Sequence, residues 1–193
     1  MKLGIFGGTF NPIHYGHLIN AEIIRSDFDL DRIILVPAKY PVHKKLDGDV
    51  PPDHRYAMTA LAVSSTREFE VSRIEIDREG PSYTITTVDD IQALHTGSEL
   101  YLIIGSDAVH EFATWREPDR MLKHASLIVM RRPGGNNRPG PVFGSNNIYY
   151  AENPLIEISS SCIRDRLRAG KTIKYLLPDA VIDYIQKKGL YSN

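Results

Sequence analysis

Two histidines three residues apart, His14 and His17, follow closely on a pair of glycines near the start of this 193-residue chain. The full segment reads Gly7-Gly8-Thr9-Phe10-Asn11-Pro12-Ile13-His14-Tyr15-Gly16-His17. Gly7-Gly8-Thr9 lets the backbone turn tightly and bring its N–H groups close to an anion, and the helix that follows points its positive end at the same spot. Gly16 leaves room between the histidines, so both imidazoles can face one phosphate group. Each keeps an N–H donor in either protonation state, which would stabilise charge developing in a phosphoryl-transfer transition state. The same spacing also serves helix-capping or partly buried histidines, or a metal completed by His43. The glycines and the preceding strand favour phosphate.

Four other segments carry polar groups of the same kind. Ser159-Ser160-Ser161-Cys162-Ile163-Arg164 offers hydroxyls and free amides at a helix start, with Arg164 in its first turn; such donors suit a diphosphate leaving group, although serines here are also ordinary N-caps. Pro41-Val42-His43-Lys44 is a basic loop that is either solvated or phosphate-facing. At Gly80-Pro81-Ser82-Tyr83-Thr84 a turn opens a helix whose amides could take a carboxylate. At Ile103-Ile104-Gly105-Ser106-Asp107 a strand end runs into an expected helix, which Asp107 could simply cap. The only tryptophan, Trp115, stands among Thr114, Arg116, Glu117 and Asp119, neighbours that argue for a cleft rather than deep burial.

These segments need a scaffold that brings strand ends together. Short apolar runs at 2–6, 32–36, 69–72, 99–105 and 126–131 read as strands. Amphipathic stretches at 16–26, 53–66, 82–95, 107–112 and 117–124 read as the intervening helices, with Met58, Leu61 and Ala62 at helical spacing. The alternation predicts one α/β domain over 1–193: a Rossmann-like, doubly wound parallel sheet with helices on both faces and a C-terminal helical segment. That segment comprises a helix from the serines to Ala169 and a last one over about 178–188, started by a proline and ended by Gly189. Residues 133–147, rich in Gly, Pro and Asn, are expected to form a loop, either a lid or a tolerated insertion.

Composition is that of an ordinary globular protein, and the single Cys162 excludes an intramolecular disulfide and a multi-cysteine zinc site. With 23 Lys+Arg against 24 Asp+Glu, no overall field attracts nucleic acid or an anionic membrane, so anion binding must be local. No segment is apolar enough to span a membrane, and a cytoplasmic location is the expectation. Homo-oligomerisation is left open.

The first segment, followed about 140 residues later by Ile-Ser-Ser-Ser-Cys-Ile-Arg, resembles the paired signature of the bacterial nicotinate-nucleotide adenylyltransferases, within the nucleotidyltransferase superfamily. The resemblance covers nearly the whole chain. It implies transfer of AMP from ATP to nicotinate mononucleotide, giving deamido-NAD and pyrophosphate. His14, His17 and Lys44 would be the catalytic residues. ATP would be bound by Gly7, Gly8, Thr9, Phe10, His14, His17, His43, Gly105, Asp107, Ser159, Ser160, Ser161, Ile163 and Arg164. The acceptor would meet Lys44, Ser82, Tyr83, Thr84 and a stacking Trp115, and Arg55 matches a recurrent family arginine. Two departures are mild: Asn11 stands where the wider superfamily often has aspartate, and Ser161 where threonine is common.

The acceptor's phosphate is already mostly dianionic at neutral pH and needs no general base, which accounts for the lack of a catalytic triad. Mg²⁺ would bridge phosphate oxygens rather than sit in a protein-built metal site, since no carboxylates cluster. The nearest rival, pantetheine-phosphate adenylyltransferase, uses a Thr-x-x-His first motif and lacks the Pro-x-His-Lys and late serine-rich segments. A non-catalytic nucleotide-binding module would not require His14, His17, Lys44 and Arg164 together.

Overall fold

The computed structural model describes residues 1–40, 50–134 and 147–192. Its centre is a six-stranded, fully parallel sheet in the order β3-β2-β1-β4-β5-β6, built from β1 (Lys2–Gly8), β2 (Arg32–Pro37), β3 (Phe69–Val71), β4 (Glu99–Gly105), β5 (Ala125–Met130) and β6 (Ile148–Tyr150). The order reverses beside β1, which pairs with β2 on one side and β4 on the other. Side chains alternate across the pleat, and both faces are apolar. Phe6, Ile33, Leu35, Ile103, Ile128 and Met130 enter one core; Leu3, Ile5, Ile34, Val36, Leu102 and Val129 enter the other. A strand buried on both faces reads as a continuous apolar run, which is why 32–36 and 99–105 stood out in the sequence.

The first core is covered by α1 (Tyr15–Asp27), α2 (Pro52–Val63), α6 (Ser160–Arg168) and α7 (Asp179–Lys188), through Ala21, Ile24, Met58, Ile163, Val181 and Ile185. The second is covered by α4 (Thr84–Leu94) and α5 (Pro118–His124), through Ile85, Val88, Ile91 and Met121. The doubly wound expectation is therefore borne out, including the C-terminal helical segment. Among the described residues no helix is long and apolar enough to cross a membrane.

Three local readings need correction. The expected helix over 107–112 does not form: successive three-residue bonds (Ala108 to Gly105, Glu111 to Ala108, Phe112 to Val109) make a chain of tight turns ending in a 3₁₀ turn at Phe112–Thr114. Tight turns align residues three apart, so Val109 and Phe112 both reach the second core. Two elements went unforeseen, α3 (Ile74–Asp77) and β6, which at 4 and 3 residues are too short to show a period. Gly7 and Gly8 do not make the turn after β1 but belong to the strand; the left-handed residue is Phe10, at φ 47°.

Asn153 joins the far edge of the sheet to α1. Fully buried, it accepts from the Arg131 amide (2.8 Å) and donates to Asn20 Oδ1 (3.0 Å) and the Arg131 carbonyl (3.2 Å). Asn153→Ala strands these groups without partners, so urea unfolding should show a loss of about 2–3 kcal/mol. A loss under about 0.5 kcal/mol, the level of a surface substitution, contradicts that role.

Candidate active site

A cleft of about 430 Å³ opens where the strand order reverses. Its lining lies at strand ends and in the segments just beyond them. His14, Gly16, His17 and Asn20 come after β1, Asp107 after β4, Arg131 and Arg132 after β5, and Ile156–Ser159 after β6. Its volume suits one nucleotide-sized ligand.

The β1–α1 loop is held from beneath by its carbonyls. Gly8 O accepts from the Ala38 amide at 2.9 Å. Thr9 O accepts from Arg55 Nη1 at 2.8 Å, Asn11 O from Arg164 Nη1 at 2.9 Å and Pro12 O from Ser160 Oγ at 2.8 Å. Arg55, on α2, is fully buried and also donates to the carbonyls of Lys39 and Val50. Burial depresses its pKa, and the nearby Tyr191 and Glu75 oppose that shift. Arg164 is buried as well, with a second bond to Ser161 Oγ at 3.2 Å. Both arginines thus grip the loop. Glycines supply space: a Cβ on Gly8 would lie 2.8 Å from the Phe10 ring, and one on Gly16 would lie 3.0 Å from His14 Nδ1 and 3.3 Å from Ile158 O.

Above this base the two imidazoles stack, with centroids 3.8 Å apart and planes at 29°. The edge of Phe10 meets His17 at 5.1 Å. The His14 amide donates to His17 Nδ1 at 3.3 Å, so in the neutral ring the proton is on Nε2. Stacked rings carry their outer nitrogens side by side, and an N–H there, as on His17 Nε2, can donate to an oxygen of a phosphate. Among the described residues no group of three or more His, Cys, Asp or Glu could hold a metal ion. His14 Nδ1 is buried with no hydrogen-bond partner among the described residues. Burial first, and the Arg132 charge second, hold the His14 pKa at about 4 instead of 6.5.

The cleft therefore brings together four of the residues expected from sequence: His14, His17, Asp107 and Ser159. Asp107 does not cap a helix; its carboxylate is two-thirds exposed and 3.7 Å from Arg132 Nε. Gly105 must lack a side chain, since a Cβ there would collide with Asp107 Oδ1 and Arg132 Nε. Gly7 lies exposed at the end of β1, while Ile163 is a core residue. His43 and Lys44, and residues 135–146 of the expected loop, lie outside the described residues.

Ser82, Tyr83, Thr84 and Trp115 are not in the lining. Ser82 Oγ accepts from the amides of Lys39 (3.2 Å) and Tyr40 (3.3 Å), tying the end of β2 to the start of α4. Tyr83 caps α4 and packs its ring against the Arg116 guanidinium at 4.8 Å; the half-buried Trp115 is next in sequence to Arg116, with its ring 5.4 Å from Phe112. Arg132, Asn20 and Glu157 were not foreseen from sequence. Arg132 had a usable signal, an arginine just past a strand end and followed by Pro-Gly, as the other strand-end motifs had.

An open crevice at the reversal point of a doubly wound sheet, floored by a loop with glycines and paired histidines, is the ligand-binding architecture of a Rossmann-type protein. The family model for cytidylyltransferase-like proteins matches residues 5–166. A Thermoanaerobacter sp. (strain X514) protein named "Probable nicotinate-nucleotide adenylyltransferase" is 47% identical over 200 residues, covering 99% of this chain and 94% of its own length. A Moorella thermoacetica protein of the same name is 46% identical over 198 residues, covering 98% and 91%. The solved structure "Plasmodium falciparum nicotinic acid mononucleotide adenylyltransferase complexed with NaAD" matches the fold with a TM-score of 0.76 at 22% identity, over 98% of this chain and 97% of that one. The chain belongs to the nicotinate-nucleotide adenylyltransferases of the cytidylyltransferase-like family.

The depressed His14 pKa has a consequence for stability. Between about pH 4 and 6.5 the unfolded chain binds the proton that the folded protein refuses. Stability therefore rises with pH through that window: the His14 contribution, about 3 kcal/mol, is complete above 6.5 and gone below about 4. His14→Asn should flatten the pH dependence of unfolding between those limits. Parallel curves for the two proteins contradict the shift.

Proposed function

We propose that the cleft binds ATP and that the chain transfers AMP to nicotinate mononucleotide, with release of pyrophosphate and formation of deamido-NAD in NAD biosynthesis. The observation that carries this reading is the stacked His14–His17 pair on a loop whose carbonyls are tied inward. An oxygen of the acceptor's 5′-phosphate attacks the α-phosphorus of ATP. The bond from that phosphorus to the bridging oxygen breaks, and pyrophosphate leaves with the electron pair. The attacking phosphate is already ionised, so the protein's task is to align two anions and offset their repulsion.

On this reading His17 Nε2–H and His14 contact the α-phosphate. The backbone of Gly7, Gly8, Thr9 and Phe10 borders it, and His43 and Lys44, which follow β2 in sequence, would add cationic or N–H donors to the phosphates. Ser159 and Ser161 at the start of α6 receive the leaving pyrophosphate. Ser160, Ile163 and Arg164 serve ATP by seating α6 and the loop, since Ser160 and Arg164 already bond to Pro12 O and Asn11 O. Asp107, beside Gly105, faces the ribose. Among the described residues no cage of acids or histidines would hold a metal ion, so Mg²⁺ would enter with ATP and would supply charge neutralisation.

The acceptor lies on the β2 side, with its carboxylate at the first-turn amides of α4 near Ser82, Tyr83 and Thr84 and its pyridine ring on Trp115. A carboxylate gains from backbone donors, whereas a carboxamide presents an NH₂ that competes with them.

Pyrophosphate release should be fastest with ATP and nicotinate mononucleotide, slower by at least about tenfold in kcat/KM with nicotinamide mononucleotide, and negligible with pantetheine phosphate. Equal efficiency with both mononucleotides refutes the acceptor assignment. His17→Ala should lower kcat by about 10²–10³-fold with little change in ATP affinity. Near-normal turnover of that variant removes His17 from the reaction centre.

A further inference from the structure

The chain beyond α7 turns back under the active-site loop. Gly189, at φ 60°, donates to the Gln186 carbonyl, and the Leu190 amide donates to Ile185 O at 3.0 Å, a paired helix cap that fixes the path of the next residue. That residue, Tyr191, is 8% exposed and takes φ 65°, a conformation costly for a residue with a side chain. Its hydroxyl donates to Asn11 Oδ1 at 2.6 Å. Arg164 and Arg55, which hold the carbonyls of Asn11 and Thr9, are close enough for their charges to act on the phenol. Burial outweighs those charges and keeps the phenol protonated, above its ordinary range, so it remains a donor.

Asn11 follows Phe10, the left-handed residue of the loop whose ring meets the edge of His17. The Tyr191–Asn11 bond spans 180 residues and is a side-chain hold on the middle of the loop, complementary to the carbonyl bonds. A tyrosine that merely filled the core would need neither the backbone strain nor the short polar bond to a loop residue.

We propose that Tyr191 is a positioning residue for adenylyl transfer: acting through Asn11, it fixes the loop that sets the placement of His14 and His17. The proposal rests on the reading of the cleft given above. Tyr191→Phe keeps the ring and removes one hydroxyl. With ATP and nicotinate mononucleotide its kcat should fall about tenfold, with both KM values within about twofold of wild type. The melting temperature should fall by a few degrees, because the buried Asn11 Oδ1 loses this donor, and a purely structural role would give that fall with kcat unchanged. Because the tyrosine acts through Asn11, the double variant Asn11→Ala/Tyr191→Phe should be no slower than Asn11→Ala. A Tyr191→Phe kcat within about twofold of wild type overturns the proposal, as do additive losses in the double variant.

Wild-type turnover separately tests the functional reading. If wild type releases no pyrophosphate with these substrates, that reading falls and the positioning role is read without turnover, from the NMR titration of His14. Its burial should put the His14 midpoint at about 4 in wild type. It should rise in Tyr191→Phe as the loop loosens and the ring gains water. Superimposable curves overturn the proposal.

Discussion

The fold of the active-site loop depends on a charge with no access to water. Arg55 is fully buried, and its guanidinium reaches the carbonyls of Thr9, Lys39 and Val50. Removing an arginine from water costs several kcal/mol, a cost offset only when its donors find good acceptors. Backbone carbonyls fill that role, and the charge of the buried Glu75 assists. Arg164 repeats the device from the opposite side of the loop, on Asn11 O. A side chain other than arginine would lack the planar fork that bonds several carbonyls at once. With its carbonyl dipoles drawn toward these cations, the loop does not present them to an incoming phosphate. A net charge of -1 over the chain is therefore no obstacle to local anion binding.

The sheet determines where that loop is useful. β1 sits at the reversal of strand order, so the segments after β1, β4, β5 and β6 all open onto one crevice. Rigid neighbours limit its freedom. Asn153 ties the β5 end to α1, Ser160 bonds to Pro12, and Gly16 fits between the His14 ring and the Ile158 carbonyl, where a side chain would meet both. On the other side of β1, Ser82 joins the β2 end to α4.

What could be read from the sequence was what depends on local pattern. Apolar runs of five or more residues gave the interior strands, and glycines at 7–8 and 105 marked strand ends where side chains must be absent or small. Local pattern also misled: 107–112 has helical composition, yet the strand end at Gly105 and the core position of Phe112 impose tight turns instead. The three-residue β6 and the four-residue α3 carry no period at all. The grip on the loop was visible only as charged residues. Nothing local distinguishes a buried Arg55 or Arg164 from a solvated one, because their acceptors lie 46 and 153 residues away. Arg164 reads in sequence as a phosphate ligand, and its bonds to Asn11 and Ser161 place its first task in holding the loop. Tyr191 and Asn153 offered no signal, since an isolated tyrosine and an isolated asparagine become informative only when a partner more than 100 residues away is known.

The two histidines differ in a way that follows from their packing. Two imidazolium rings stacked at 3.8 Å would repel strongly, all the more where one is buried. The structure avoids this by making His14 hard to protonate: it lies beneath Gly16, out of water and within the field of Arg132. The stack can thus carry one positive charge at most at neutral pH. His17, its Nδ1 held by the His14 amide, keeps Nε2–H as the donor for a ligand. The free protein therefore does not hold two cationic rings face to face at neutral pH. A negative charge placed beside His14 would offset its resistance to protonation, because an anion favours the protonated form of the ring.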